Sequence, residues 1–255
     1  MSSTEAHYRK EGKVGVIHLG APFADMDSLV GFVGFLEDVH QEVAWDADVH
    51  CIVVTGRDGF AAGPSSHAAF AGLLRLKLRS LRTPAAVLGG IAKPVIAAIE
   101  GDAVGSGLEL ALACDLRICS ESSRFALDHL VRGTFPEDGG LQRVARLVGR
   151  GAALGLALLG EEVDAKEAHR LDLVQRVVPQ QDVLSHAMER AVALGEMAPY
   201  AVRYLKEAVM KGMDMPLDQG IRLEADLYFL LHSTEDRAEG IRAFREKRAP
   251  KFEGR

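Results

Sequence analysis

Two short, almost entirely apolar runs, each closed by a glycine, constrain the fold of this chain more than any other feature. Residues 51–55 (CIVVT) lead to Gly56, and residues 94–99 (PVIAAI) lead to Gly101. A strand that is apolar at every position has both faces covered, as in parallel sheets packed between helices. Before the first run, apolar residues recur at helical spacing in a segment that Asp27 can cap. This alternation predicts an α/β protein with a mostly parallel sheet.

The remaining pattern divides the chain into two parts. Further short strands are predicted at 14–19, 116–120, 124–127 and 174–178. From Gln180 onward every apolar stripe has helical spacing. We therefore expect an α/β core over residues 1–196 and a helical C-terminal region over residues 197–255. The apolar stripes of that region are broad enough to need a partner surface, for which a neighbouring subunit is a candidate.

Charge and composition exclude several classes of partner. The 255 residues carry a formal net charge of −6 without any basic stripe, which argues against nucleic acid. No apolar stretch is long enough to span a bilayer, and the polar N-terminus shows no signal segment. Cys51, Cys114 and Cys119 lie in apolar surroundings, without the pairs or histidine clusters that bind zinc. We expect a cytoplasmic protein with no metal site and no membrane contact.

Residues 99–110 (IEGDAVGSGLEL) are the most informative stretch about chemistry. A buried strand runs into Gly105 and Gly107 and then into a helix, so unpaired N–H groups face outward. Such groups can hold a phosphate or stabilise a carbonyl oxygen that becomes an oxyanion. Leu110 replaces the third glycine of a dinucleotide fingerprint, and no Walker lysine is present. A second turn at 60–64 (FAAGP) follows the first apolar run, at the same expected edge of the sheet, where α/β proteins bind ligands. Taken alone, a glycine pair more often serves only the backbone.

Several long motifs, in order, resemble the crotonase (enoyl-CoA hydratase/isomerase) superfamily over nearly the whole chain. They are IVVTG…GFAAG at 52–63, KPVIAAIEGDAVGSGLELALACDLRI at 93–118, RFAL…GTFPEDGGLQRVARLVG at 124–149 and EDRAEGIRAFREKR at 235–248. The resemblance implies a spiral of ββα units and a helical C-terminal region that mediates assembly into a homotrimer or hexamer. It also implies an acyl-CoA substrate, so coenzyme A would be part of the substrate and no cofactor is expected.

The resemblance further implies a thioester carbonyl held between two backbone N–H groups. It places the second of these donors at Ser106, beside Gly105. The segment that carries the first donor and contacts substrate consists of Ala62, Gly63 and Pro64. The donor position falls on Pro64, and proline has no N–H. The oxyanion hole of this chain is therefore expected to be altered.

The resemblance also assigns the groups that move protons. Glu109 occupies the position of the first catalytic glutamate, one turn into the helix. The second catalytic glutamate falls on His129. Phe244 and Lys247 match C-terminal positions that help form the CoA site of a neighbouring subunit. The leading hypothesis is an enoyl-CoA hydratase or isomerase that uses Glu109 and His129 as acid and base.

Two acidic residues after His129 leave an alternative open. Asp138 follows across a turn, and a carboxylate that holds one imidazole nitrogen would free the other as a base for water. Superfamily members that hydrolyse β-diketones carry a histidine–aspartate pair at matching positions. Glu137 matches the position of the nucleophilic aspartate of the dehalogenase branch, although both acids could also be solvated loop residues. The alternatives are thus a β-diketone C–C bond hydrolase with a His129/Asp138 dyad, or a non-catalytic acyl-CoA-binding member, which Pro64 would favour.

Overall fold

Two sheets and a set of helices make up the part of the chain that the computed structural model describes, namely residues 6–20, 26–56, 60 and 83–255. The strands are β1 (His7–Glu11), β2 (Val14–His18), β3 (Cys51–Gly56), β4 (Val95–Ile99), β5 (Ala103–Val104), β6 (Leu116–Ser120), β7 (Arg124–Ala126), β8 (Val163–Asp164) and β9 (Arg176–Val178). The helices are α1 (Met26–Trp45), α2 (Pro84–Gly89), α3 (Ser106–Ala111), α4 (Gly140–Leu154), α5 (Ala165–Arg170), α6 (Val183–Gly195), α7 (Pro199–Gly212), α8 (Leu217–Leu231) and α9 (Glu235–Glu246). A π-helical turn (Gly155–Leu159) continues α4.

The larger sheet has six strands in the order β1-β2-β3-β4-β6-β9. All neighbouring strands in it are parallel except β1 and β2, and Val53 of β3 lies opposite Ile96 of β4. The smaller sheet has three strands in the order β5-β7-β8, which lie in the chain between strands of the larger sheet. The mostly parallel α/β architecture with a helical C-terminal region is therefore confirmed.

Helices cover both faces of the larger sheet, which is why its central strands are apolar throughout. Every residue of β3 and β4 is buried. Alternate residues such as Ile52 and Val54 face the core formed with α1, α2 and α3. Cys51 and Val53 face the opposite side, where α6 packs. Because β3 and β4 are parallel, their carboxyl ends lie at the same edge of the sheet.

The structure contains strands that the sequence pattern did not predict. Residues 7–11 form the edge strand β1, which the sequence pattern missed because its side chains are mostly exposed and polar. The apolar stripes at 141–148 and 152–159 predicted two helices. The structure agrees with this prediction: α4 consists of two helical segments that meet at a kink at Gly149 (φ 76°, ψ 165°), and the second segment continues into the π-helical turn. The glycine permits this kink because it lacks a Cβ.

A buried arginine fixes the far end of α3. The guanidinium of Arg117 donates to the carbonyl oxygens of Cys114 (2.7 Å) and Leu173 (2.7 Å) and to Oε1 of Gln175 (3.3 Å). Unpaired carbonyl groups at a helix C-terminus attract a positive charge, so this contact stabilises the end of α3. These hydrogen bonds fix the position of α3 relative to β6 and β9.

A lysine joins the helical C-terminal region to the core. Nζ of Lys206, on α7, donates to the carbonyl oxygens of Ile91 (2.8 Å) and Lys93 (2.9 Å) and to Oδ2 of Asp115 (2.6 Å). The same carboxylate oxygen accepts the N–H of Val95 at 2.7 Å, at the start of β4.

None of the helices that the structure describes combines the length and hydrophobicity that a bilayer crossing requires. The division at residue 197 stays a prediction.

We expect Lys206→Met to lower the free energy of unfolding by about 2–3 kcal/mol, because it removes three hydrogen bonds and leaves Asp115 without its cation. Lys211→Met is the matched control on the same helix. Its exposed pair with Glu207 contributes less than about 0.5 kcal/mol. Urea unfolding at one protein concentration measures both variants. Equal losses in the two would contradict the role given to Lys206.

Candidate active site

The start of α3 presents backbone donors beside the smaller sheet. Gly105 adopts φ 58° and ψ −125°, and its N–H donates to the carbonyl oxygen of Ala126 at 2.9 Å. A Cβ at this position would lie 3.1 Å from Oδ1 of Asp128. Only glycine suits this torsion and this approach. Ser106, which follows, is half-buried, and its N–H lies in the first turn, where a helix has no acceptor of its own.

One turn further, Glu109 carries a buried carboxylate. Its Oε1 accepts the N–H groups of Asp138 and Gly140, each at 2.9 Å. The residue is only 2% exposed, so these donors replace water around the carboxyl group. A Cβ on residue 140 would lie 2.6 Å from Cγ of Glu109. The contact therefore requires glycine there.

His129 lies next to this carboxylate, just after β7. Its Nε2 is 3.2 Å from Oε2 of Glu109, and both side chains are buried. The carbonyl oxygen of His129 accepts the N–H (2.8 Å) and the hydroxyl (3.0 Å) of Thr134, which close the turn that carries the imidazole. Nδ1 of His129 is buried and has no hydrogen-bond partner among the described residues. Two residues twenty positions apart in the chain thus form a buried pair.

Asp138 does not contact His129, and the predicted His129–Asp138 pairing is wrong. The hydroxyl of Thr83 donates to Oδ1 of Asp138, and the N–H of Ala85 donates to Oδ2 at 2.7 Å. The peptide N–H of Asp138 faces Glu109, while its carboxylate caps the first turn of α2, which contains no acidic residue of its own. Burial raises the pKa of Asp138 to about 6, against the opposing effect of the Thr83 and Ala85 hydrogen bonds.

Glu137 is exposed at the mouth of the same region. Partial burial raises its pKa, the negative charge of Glu109 raises it further, and His129 acts in the opposite direction. Its carboxyl group is therefore within electrostatic range of the Glu109–His129 pair. The structure shows no bond between Glu137 and either member of the pair among the described residues.

Five further predicted site residues remain to be placed. Ala62, Gly63 and Pro64 fall outside the described residues. Phe244 and Lys247 are exposed at the end of α9, with Phe244 at 86% exposure. The described residues contain no group of three or more histidine, cysteine or acidic side chains that could hold a metal.

The sequence predicted Glu109 and His129 as site residues but not their contact. It also did not predict the backbone N–H groups of Asp138 and Gly140, which donate to the Glu109 carboxylate. The run Gly139-Gly140 before an apolar helix was the available signal, because paired glycines allow close approach of another group. The glycine pair does not by itself indicate that the approaching group is the side chain of Glu109.

We expect Gly140→Ala to lower the free energy of unfolding by about 1–3 kcal/mol, because the new methyl group overlaps Glu109. Gly151→Ala, in the same helix, is the control, since a Cβ there meets nothing within 4 Å. Both changes reduce the freedom of the unfolded chain equally, so their difference isolates the overlap. Chemical denaturation measures it. If Gly140→Ala is as well tolerated as Gly151→Ala, the close approach is not a constraint.

Comparison with known proteins agrees with the geometry. The family model for enoyl-CoA hydratase/isomerase matches residues 29–255. The 2,3-dehydroadipyl-CoA hydratase of Escherichia coli is 37% identical over 217 residues, covering 84% of this chain and 85% of its own. The short-chain-enoyl-CoA hydratase of Clostridium acetobutylicum is 34% identical over 265 residues, covering 96% and 95%. The crystal structure of an enoyl-CoA hydratase from Bacillus anthracis superposes with a TM-score of 0.88 at 32% identity, covering 98% and 99%. The chain is a crotonase-superfamily enzyme and belongs to the enoyl-CoA hydratase/isomerase family.

Proposed function

We propose that this enzyme adds water to, or shifts the double bond of, an enoyl-CoA, and that Glu109 and His129 together move the protons. The buried contact between Oε2 of Glu109 and Nε2 of His129, 3.2 Å apart, is the observation that supports this proposal. A positioned side chain that can hold a proton is what general acid–base catalysis requires, and this pair supplies one. The names of the relatives support the same class of substrate.

The N–H of Ser106 is the proposed donor to the thioester oxygen. It lies in the first turn of the helix that carries Glu109, so a carbonyl bound there would place the acyl chain next to the pair. The position of the other donor is Pro64, which cannot donate. Loss of one oxyanion donor lowers rates by about 10²–10³-fold, so binding at Ser106 and proton transfer by the pair carry more of the catalysis. Gly105 permits the substrate to approach, and coenzyme A is part of the substrate rather than a cofactor.

The pair can complete a hydration without any other reagent. A proton leaves the attacking water as its oxygen bonds to Cβ, and the electrons of the double bond move onto the thioester oxygen at the Ser106 N–H. A proton then returns to Cα as the carbonyl re-forms. One water is consumed, and the net charge of the pair is restored.

The two alternative functions receive less support. A β-diketone hydrolase would need Asp138 on His129, but its carboxylate is bound to Thr83 and Ala85. A non-catalytic acyl-CoA-binding protein would have no need of a buried histidine against a buried glutamate, since burying ionisable groups is costly. Glu137, at the mouth, is proposed to border the acyl chain.

We expect Glu109→Gln to lower kcat with crotonyl-CoA by about 10²–10⁴-fold, because the amide cannot exchange or stabilise a proton. Asp138→Asn is the matched control, since it also replaces a buried carboxylate by an amide and keeps an acceptor for the N–H of Ala85. It should leave turnover close to that of the wild type. Loss of the ultraviolet absorbance of the conjugated thioester measures hydration.

Two results would reverse the assignment of Glu109 and His129 as the proton-transferring pair. If Asp138→Asn suffers the loss of about 10⁴-fold known for a carboxylate that orients a catalytic histidine, while Glu109→Gln is mild, the His129/Asp138 dyad is restored. Wild-type activity on a free β-diketone and none on crotonyl-CoA would lead to the same conclusion.

We further propose that residues 197–255 assemble the protein as a homotrimer or hexamer. The helices of this region expose large apolar side chains on a single chain, with Leu217 at 80% and Phe229 at 75% exposure. Contiguous apolar surface of this kind marks a protein interface. Phe244 and Lys247, exposed at the end of α9, would then be available to the acyl-CoA site of a neighbouring subunit.

A cytoplasmic location is proposed on the free, buried cysteines, in which burial raises the pKa of each thiol to about 12.

Light scattering at micromolar concentration should give three or six times the chain mass of 27.5 kDa. Phe229→Asp should shift the population toward monomers, because it places a charge in the apolar contact. Arg222→Gln, at an exposed polar position of the same helix, is the control and should leave the mass unchanged. A monomeric wild-type protein would refute the proposed assembly.

A further inference from the structure

One nitrogen of His129 has no role in the contact with Glu109. The side chain is 9% exposed, and Nδ1 has no partner among the described residues. The large majority of buried side-chain polar atoms in proteins are hydrogen-bonded, so an unpaired one needs an explanation. In a pocket that binds substrate, the explanation is a partner that the substrate or its water supplies.

The surroundings of Glu109 decide which ring nitrogen carries the hydrogen. Oε1 accepts two backbone N–H groups, so the carboxyl group acts as an acceptor, and its remaining oxygen, Oε2, faces Nε2 of His129. A neutral imidazole has one N–H and one lone pair, and the partner of each nitrogen identifies which is which. The network therefore assigns the hydrogen to Nε2 and the lone pair to Nδ1.

Resting on the proposed function, we propose that Nδ1 of His129 takes and returns the proton, and that Glu109 is a positioning residue that holds Nε2–H. In hydration, the lone pair of Nδ1 accepts a proton from water while the water oxygen bonds to Cβ. The imidazolium then returns this proton from Nδ1 to Cα, so atoms and charge balance. Glu109 stabilises the imidazolium between the two steps, as an orienting carboxylate does in hydrolytic triads.

Charged groups from several segments lie near the imidazole of His129. Glu109 faces it from α3, and Glu137 reaches it electrostatically from the loop before α4. Asp128, in the same turn, lies within contact range of a Cβ placed at Gly105, as does the Cε1 edge of the imidazole. Asp138 is directed to α2 and does not contact the ring. Glu109 and Glu137 therefore bring negative charge to the imidazole, while the carboxylate of Asp128 is paired with Arg132. Negative charge of this kind stabilises a base once it has accepted a proton.

Nitrogen-15 NMR of the histidine-labelled, intact protein tests the tautomer without any activity measurement. At a pH where the ring is neutral, the signals of His129 should show a protonated Nε2 and an unprotonated Nδ1. Loss of these signals in His129→Gln assigns them among the nine histidines. In Glu109→Gln the preference for this tautomer should weaken. A protonated Nδ1 in the wild type would overturn the proposal.

The pH profile of kcat/KM with crotonyl-CoA separates the roles of the two residues. In the wild type it should rise with pH, because the base must lose its own proton before it can accept one from water. His129→Gln keeps a donor toward Glu109 but has no titrating group, so the rise should disappear and the rate should fall by about 10²–10⁴-fold. In Glu109→Gln the rate should fall while the rise persists. His169→Gln, whose ring contacts the carbonyl oxygen of Val174, is the control and should leave the profile unchanged.

Failure of this proposal differs from failure of the proposed function. If the rise survives in His129→Gln and disappears in Glu109→Gln, Glu109 is the proton-carrying group and the division of roles is overturned. If the wild type has the expected tautomer but turns over no enoyl-CoA, the proposed reaction fails while the positioning of the imidazole stands. If His129→Gln does not fold, the pH profile of His129→Asn and the nitrogen-15 NMR spectrum of the wild type distinguish the same outcomes.

Discussion

The acceptance of two backbone N–H groups by Oε1 of Glu109 is the contact on which the rest of the site depends. It joins α3 to the loop before α4, and it is possible only because residue 140 has no Cβ to occupy the space. With the N–H of Asp138 turned toward Glu109, the carboxylate of Asp138 is directed to the first turn of α2. A single buried carboxylate thus orders two helices and the connecting loop, because burying it without donors would be unfavourable.

The same contact explains why a histidine can stand at the position to which the family resemblance assigns a second catalytic glutamate. Once Oε1 is occupied by the backbone, Oε2 alone remains for a neighbour, and an imidazole N–H is a suitable donor. Two buried carboxylates at this distance would repel each other, whereas a histidine can be neutral or positively charged beside Glu109. The substitution therefore changes the chemistry of the second position without disturbing the backbone that holds the first.

Local pattern predicted the elements well and the side-chain partners poorly. The burial of β3 and β4 follows from their unbroken apolar composition, and the glycine at 105 follows from the turn between β5 and α3. The edge strand β1 was missed because its pairing with β2 depends on backbone groups rather than on a buried face. The partner of His129 was misjudged because nearness in the chain favoured Asp138, while the turn closed by Thr134 directs the imidazole to Glu109.

The sequence by itself determined the α/β class and the family, and it singled out Glu109 and His129 as candidate site residues. These depend on composition, periodicity and motif, which are properties of short segments. Only the tertiary structure decided that Glu109 and His129 touch, that Asp138 caps α2, and that Nδ1 is left unpaired. Each of these results from the direction in which a buried polar group finds its partner, and that direction is set by backbone torsions and packing between segments distant in the chain.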